Sequence, residues 1–166
     1  MKIRLCLLLC AAMLQSAAQH EADDHFPTVT PAMLGVQHYA IDSGAAAVIL
    51  AEYSDTKVNG SNEGGFAIET RVRRRIHLLK NSSFDRATVI LDLYTNGEDP
   101  EKITKLNAVT WSLEGDKMVE KRLNPKSDVY TEKIDKNQLQ RKFTLPGVKE
   151  GAIIEYEYTL ISGYLF

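Results

Sequence analysis

Along the last quarter of the chain, Arg141 to Leu160 (RKFTLPGVKEGAIIEYEYTL), apolar and polar positions fall into two strand-like segments joined by a polar loop. In Gly151–Ser162 the even positions Ala152, Ile154, Tyr156, Tyr158 and Leu160 are apolar, while Glu155, Glu157 and Thr159 are among the odd ones. A period of two puts alternate side chains on opposite faces, so this segment is expected to be a half-buried antiparallel strand. The chain then runs through Gly163, Tyr164, Leu165 and Phe166, apolar side chains with nothing after them to cover them, and is read as the front piece of a longer protein.

The same reading extends upstream. Ala45–Tyr53 (AAAVILAEY) has strand length and a Val48-Ile49-Leu50 centre expected to be buried on both faces. Asn59–Gly65 reads as a glycine-rich loop, and Phe66–Leu79 as the longest strand, with Ile68, Val72, Ile76 and Leu78 on one face and Glu69, Arg71, Arg73, Arg75 and His77 on the other. Arg74 shares the apolar face, which calls for a bulge or a snorkelling side chain. Asn81-Ser82-Ser83 breaks the pattern, and Ala87–Tyr94 is expected to be a strand paired with or near its predecessor. Lys105–Leu113 and Lys117–Leu123 flank Glu114-Gly115-Asp116, a connection short enough to join hairpin strands. Val129–Ile134 and Leu139–Leu145 complete about eight strands, so the fold class is all-β, an antiparallel β-sandwich. The one helical signal is a short turn opened by Thr30-Pro31 and stopped at Gly35.

The N-terminus departs from this pattern. Lys2 and Arg4, the apolar run Leu5–Leu14 and then Gln15-Ser16-Ala17-Ala18 have the three parts of a secretory signal peptide, with cleavage between Ala18 and Gln19. The apolar run is shorter than the roughly 20 residues a membrane span needs, so none is expected. Both cysteines, Cys6 and Cys10, lie in the segment to be removed, so the exported chain is expected to hold together by its core and without disulfides. Loss of Lys2 and Arg4 takes the formal net charge from −2 to −4, an ordinary surface with no general attraction for nucleic acid. The expected organisation is a signal peptide over 1–18, a flexible lead-in over 19–30 and a β-sandwich domain over 31–166.

Chemistry is sparse. His20-Glu21-Ala22-Asp23-Asp24-His25 offers ligand types that zinc accepts, but not the spacing of a rigid four-ligand site, and no metal or other cofactor is expected. Arg71, Arg73 and Arg75 form a cationic ladder that suits a carboxylate-bearing glycan or peptide. Glu155 and Glu157 alternate in the same way, so a solvated face of cross-strand charge pairs is the favoured account. Tyr156 and Tyr158 run in phase with Ile154 and Leu160, which argues for burial and leaves Trp111 as the exposed aromatic candidate for binding. No GxSxG, HExxH or phosphate-cradling loop is present. Asn59-Gly60-Ser61 and Asn81-Ser82-Ser83 fit the N-glycosylation acceptor pattern and read as loop composition.

Four blocks carry a family likeness: AAAVILAEYS, GGFAIETRVRRRIHLLK, LNAVTWSLEGDKMVEKRL and RKFTLPGVKEGAIIEYEYTLIS. In order and spacing, over about 31–166, the chain resembles the bacterial domain-of-unknown-function family 3857. The most specific block carries Phe143, Pro146, Val148, Gly151, Ile153, Ile154, Glu155, Tyr156 and Tyr158. The resemblance implies an exported protein of the periplasm or cell envelope, typical of Bacteroidetes, in which this module precedes a transglutaminase-like domain. It brings no catalytic residue to any position here. The expectation is thus a non-catalytic module that packs against or positions a downstream domain of the same polypeptide; the alternative is a glycan- or peptide-binding module using an exposed strand face.

Overall fold

Period-two alternation becomes strand in the computed structural model, which describes residues 26–60 and 65–164. The signal peptide, the Ala18–Gln19 cleavage point, the His20–His25 segment and Leu165-Phe166 lie outside the described residues. Among the described residues the eight strands are β1 (Ala47–Gly60), β2 (Phe66–Leu78), β3 (Thr88–Tyr94), β4 (Lys102–Glu114), β5 (Lys117–Arg122), β6 (Val129–Lys133), β7 (Gln138–Thr144) and β8 (Ala152–Ser162). They form two antiparallel sheets, of order β1-β2-β8-β4-β5 and β3-β7-β6. The all-β, sandwich-like architecture expected from the pattern is the one observed.

Two hairpins frame the larger sheet, and β8 enters last between them. In the β4–β5 hairpin Glu114 pairs with Lys117. Gly115 takes φ +62° at the first loop position, where a two-residue turn of matching twist favours glycine. The β1–β2 hairpin is longer than its sequence suggests: β1 runs on through Asn59 and Gly60, read above as loop, and Gly60 pairs with Phe66. β2 and β3 are not neighbours either. A 3₁₀ turn, Asn81–Ala87, carries the chain to the second sheet, where β3 pairs with β7. Its buried Ser83 donates to the carbonyls of Ala46 (2.9 Å) and Lys80 (2.8 Å), tying that crossing to the start of β1.

The main core lies between the sheets. Ile76, Leu78, Ala108, Ile154 and Tyr156 from the larger sheet meet Val89, Leu93 and Phe143 from the smaller, with Leu145 and Leu123 at the margins. The Phe143 and Tyr156 rings meet edge to face with centroids 6.2 Å apart. Burying a side chain such as Ile154 or Phe143 contributes about 1.5–3 kcal/mol through water exclusion.

A smaller cluster covers part of the outer face of the larger sheet. There Val29 and Leu34 pack on Ile153, with Met33, Leu50, Trp111 and Leu113 around them. Leu34 belongs to α1 (Pro31–Leu34), which begins as its sequence predicts: the Thr30 hydroxyl accepts from the Met33 N–H and proline occupies the first turn. β8 is therefore buried on both faces from Ala152 to Tyr156, rather than on one as its alternation suggests. The flexible lead-in assigned to 19–30 also needs correcting at its end, since Val29 is only 3% exposed. Apolar Val29 has a place in the second cluster, and that burial fixes the chain around it.

Candidate functional site

The strand register arranges the charged side chains of the outer face in rows. Arg75 of β2 stands opposite Glu155 of β8, which stands opposite Val109 of β4, which stands opposite Arg122 of β5. One row along come Arg73, Glu157 and Asn107; in the other direction come His77, Ile153, Trp111 and Glu120. Residues directly opposite share a face, so the alternation in β2, β4, β5 and β8 brings these groups together from four strands.

Glu155 is the centre of this arrangement. It is 7% exposed and Arg75 is 3% exposed. The Arg75 Nε donates to Glu155 Oε2 at 2.6 Å, and Arg73 donates to Oε1 from Nε at 2.9 Å and from its terminal nitrogen at 2.6 Å. One carboxylate thus accepts from two guanidiniums, one on each oxygen. A second Arg75 nitrogen donates to the Pro27 carbonyl at 2.6 Å. The Phe26 ring lies over both cations, 4.5 Å from the Arg73 guanidinium carbon and 5.3 Å from that of Arg75. Arg71, farther along, pairs with Glu157 at 3.2 Å in a more exposed setting.

The cross-strand pairing anticipated between the arginines and Glu155 and Glu157 is therefore present, but the face is only partly solvated. Residues 26–29 cross it and cover its inner rows. Between that strap and the β4–β5 hairpin lies a groove of about 690 Å³, walled by Arg71, Arg73, Asn107, Trp111, Glu120 and Arg122 among others.

Trp111 is half-buried rather than exposed. Its ring packs on the Ile153 cluster, and its Nε1 donates to Glu120 Oε2 at 3.2 Å, while Glu120 Oε1 accepts from Arg122 at 2.5 Å. Tyr130, by contrast, is 69% exposed, on β6 of the other sheet and far from this row. Tyr156 is buried and Tyr158 packs against the main core, as their phase predicts; burial pushes both hydroxyls above the usual tyrosine range.

Arg74 stays on the core face without a bulge in its own strand, and reaches across to Glu52 at the sheet edge. That hydrogen bond is the main reason its guanidinium holds its proton more tightly than usual. His77 is fully buried, with its Nδ1 2.9 Å from the Tyr39 hydroxyl and the two rings edge to face. Burial lowers its pKa from the ordinary histidine value, partly offset by the Gly151 backbone.

Sequence reasoning missed Phe26, Pro27 and the buried role of Glu155. Phe26 and Val29 are bulky apolar residues in an otherwise polar lead-in, and that was the available signal. Among the described residues, no group of three or more His, Cys, Asp or Glu side chains is placed to hold a metal ion, and no helix is long and apolar enough to cross a membrane.

No protein-family model matches the chain, and no curated protein does. Among solved structures, a protein of Parabacteroides distasonis described as a "putative protease" is similar, with a TM-score of 0.45 and 15% identity. The similarity covers 66% of this chain and 22% of that protein.

Proposed function

We propose that the chain is a non-catalytic β-sandwich module of an exported, multidomain cell-envelope protein, which holds a following transglutaminase-like domain in a fixed orientation. The observation that carries this reading is how the chain leaves β8. That strand is hydrogen-bonded on both sides, to β2 and to β4, up to its last residues. Just beyond it, the Tyr164 N–H donates to the Ser162 hydroxyl at 3.1 Å, its ring stands edge-on to Tyr94 with centroids 4.6 Å apart, and its hydroxyl donates to the Asp99 carbonyl. An exit anchored in this way cannot swing without losing those contacts, so whatever follows inherits the orientation of the sandwich.

The test is nuclear relaxation on the longer polypeptide. A fixed junction gives both domains one rotational correlation time, and Tyr164→Ala separates the two values. Independent tumbling in the unaltered protein would overturn the reading.

A second reading, a glycan- or peptide-binding module, is favoured by the groove alone, which sets arginines and Asn107 beside the Trp111 ring. Titration with acidic and neutral oligosaccharides and peptides, followed by Trp111 fluorescence, tests it; an unchanged spectrum throughout counts against it.

A further inference from the structure

We infer that the domain following the sandwich seats on the core-side face of the β1–β2 hairpin, around Val58, Phe66 and Ile68. This rests on the module reading proposed above and names the contact through which that domain is held.

The face exists because the two sheets differ in length. β1 and β2 have 14 and 13 residues, whereas β3, β6 and β7 have 7, 5 and 7. At roughly 3.3 Å per residue, the larger sheet outruns the smaller by about 20 Å. The main core takes Ile76 and Leu78 from β2 and Tyr158 and Leu160 from β8. Past Leu160, on the same side of the sheet, the hairpin runs on from the Thr56–Thr70 pair, whose hydroxyls lie 3.1 Å apart, to Val58 opposite Ile68 and Gly60 opposite Phe66. Val58 is 69% exposed and Phe66 37%, while Ile68 is half-buried.

The two sides of this extension differ in charge. Over 54–60 and 66–72, strand alternation puts all four charged side chains, Asp55, Lys57, Glu69 and Arg71, on the outer side and none on the core side. A hairpin with water on both sides has no physical reason to collect its charges on one of them. A face that is covered sheds charge and keeps apolar side chains.

The occupant follows from where the chain leaves the sheet and from the size of the face. Ser162, the last residue of β8, stands opposite Ile68. At roughly 4.8 Å between neighbouring strands, the exit is about 5 Å from Ile68 and about 10 Å from Val58. Stable interfaces between separate molecules bury about 800 Å² and roughly 20–30 residues on each side, far more than this face offers. A domain joined through Tyr164 needs much less, because a short connection holds it at an effective concentration on the order of mM. The surface it presents is apolar, since a charged group seated on Val58 and Ile68 would lose its water without gaining a partner.

The experiment uses the longer polypeptide with labelled Ile and Val methyl groups and a neutral, water-soluble paramagnetic agent that broadens the signals it can approach. The Val58 and Ile68 signals are expected to stay sharp, while that of Ile90, 48% exposed on the solvent side of the smaller sheet, broadens. Val58→Glu should let the agent reach Ile68 and give the two domains separate rotational correlation times. Tyr130→Glu, on β6 at a position that is also 69% exposed, should do neither. A Val58 signal broadened like that of Ile90, in a protein whose domains tumble as one, overturns this inference and leaves the module reading standing. Independent tumbling of the unaltered domains overturns both. Protection of Val58 that fades on dilution places a second copy on the face and overturns the inference as well. The unaltered protein separates these outcomes, so the test does not depend on a variant folding.

Discussion

Replacing Glu155 with glutamine removes one negative charge and almost no volume, and it isolates the energetics of the outer face. In the folded protein this carboxylate accepts from Arg73 and Arg75, and both it and Arg75 are under 10% exposed. Its loss leaves two guanidiniums facing each other across a neutral amide, with little water to take up their charge. Removing one partner of a buried ion pair costs about 3–5 kcal/mol, a large share of the roughly 5–15 kcal/mol that holds a domain of this size together. At about 3–4 °C per kcal/mol for an intermediate-sized domain, the melting temperature should fall by roughly 10–20 °C. Urea denaturation and thermal circular dichroism both measure this. The control is Glu157→Gln: the Arg71–Glu157 pair keeps side-chain exposures of 37% and 25%, and screened pairs of that kind contribute about 0–1 kcal/mol. A further arm replaces the whole triad with apolar residues of similar volume, Arg73→Met, Glu155→Leu and Arg75→Met, which should cost less than Glu155→Gln alone, because no charge is then left unpaired. If Glu155→Gln loses under about 1 kcal/mol, or no more than Glu157→Gln, the carboxylate is not holding the two cations and the reasoning fails.

Other perturbations test other parts of the fold. Burial lowers the pKa of His77, so the unfolded chain takes up its proton first as the pH falls. The stabilisation from neutral His77 should be complete above about pH 6.5 and decline as the pH drops toward the folded-state value; His77→Gln should flatten that part of a stability–pH curve measured by urea denaturation. Phe143→Ala, which empties the space beside Tyr156 in the main core, should cost about 3–5 kcal/mol by the same method. Gly115→Ala imposes a side chain on a backbone at φ +62° and should cost roughly 1–2 kcal/mol, although the added carbon meets nothing within 4 Å. Ending the chain before Arg141 removes more than half of β7 and all of the central strand β8, and calorimetry should then find no cooperative transition.

Strands were legible in the sequence wherever one face is dry. In β8 the order Ala152, Ile154, Tyr156 names the core face directly, and the turn at Gly115 marks its hairpin. The end of β1 was not legible, because its last five residues, from Thr56 to Gly60, are exposed and carry no apolar period. The partner of β3 was hidden for a different reason. A 3₁₀ turn of seven residues looks in sequence like a hairpin break, yet it carries the chain from one sheet to the other. At the candidate site, the alternation of Arg71, Arg73 and Arg75 with Glu155 and Glu157 announced pairing, but not burial. Burial depends on residues 26–29, which lie far from both strands in sequence and cross them only through the packing of Val29 on Ile153. Trp111 shows the same limit: its phase places it on the outer face, and only the fold shows that α1 and Val29 share that face.

Whether this sandwich orients a domain that follows it is decided by reading the gene beyond the codon for Phe166. An orienting module requires an open frame that continues into a domain with Cys, His and Asp at transglutaminase-like positions. A stop codon directly after Phe166 would contradict it, and the outer-face groove would then have to account for what the protein does.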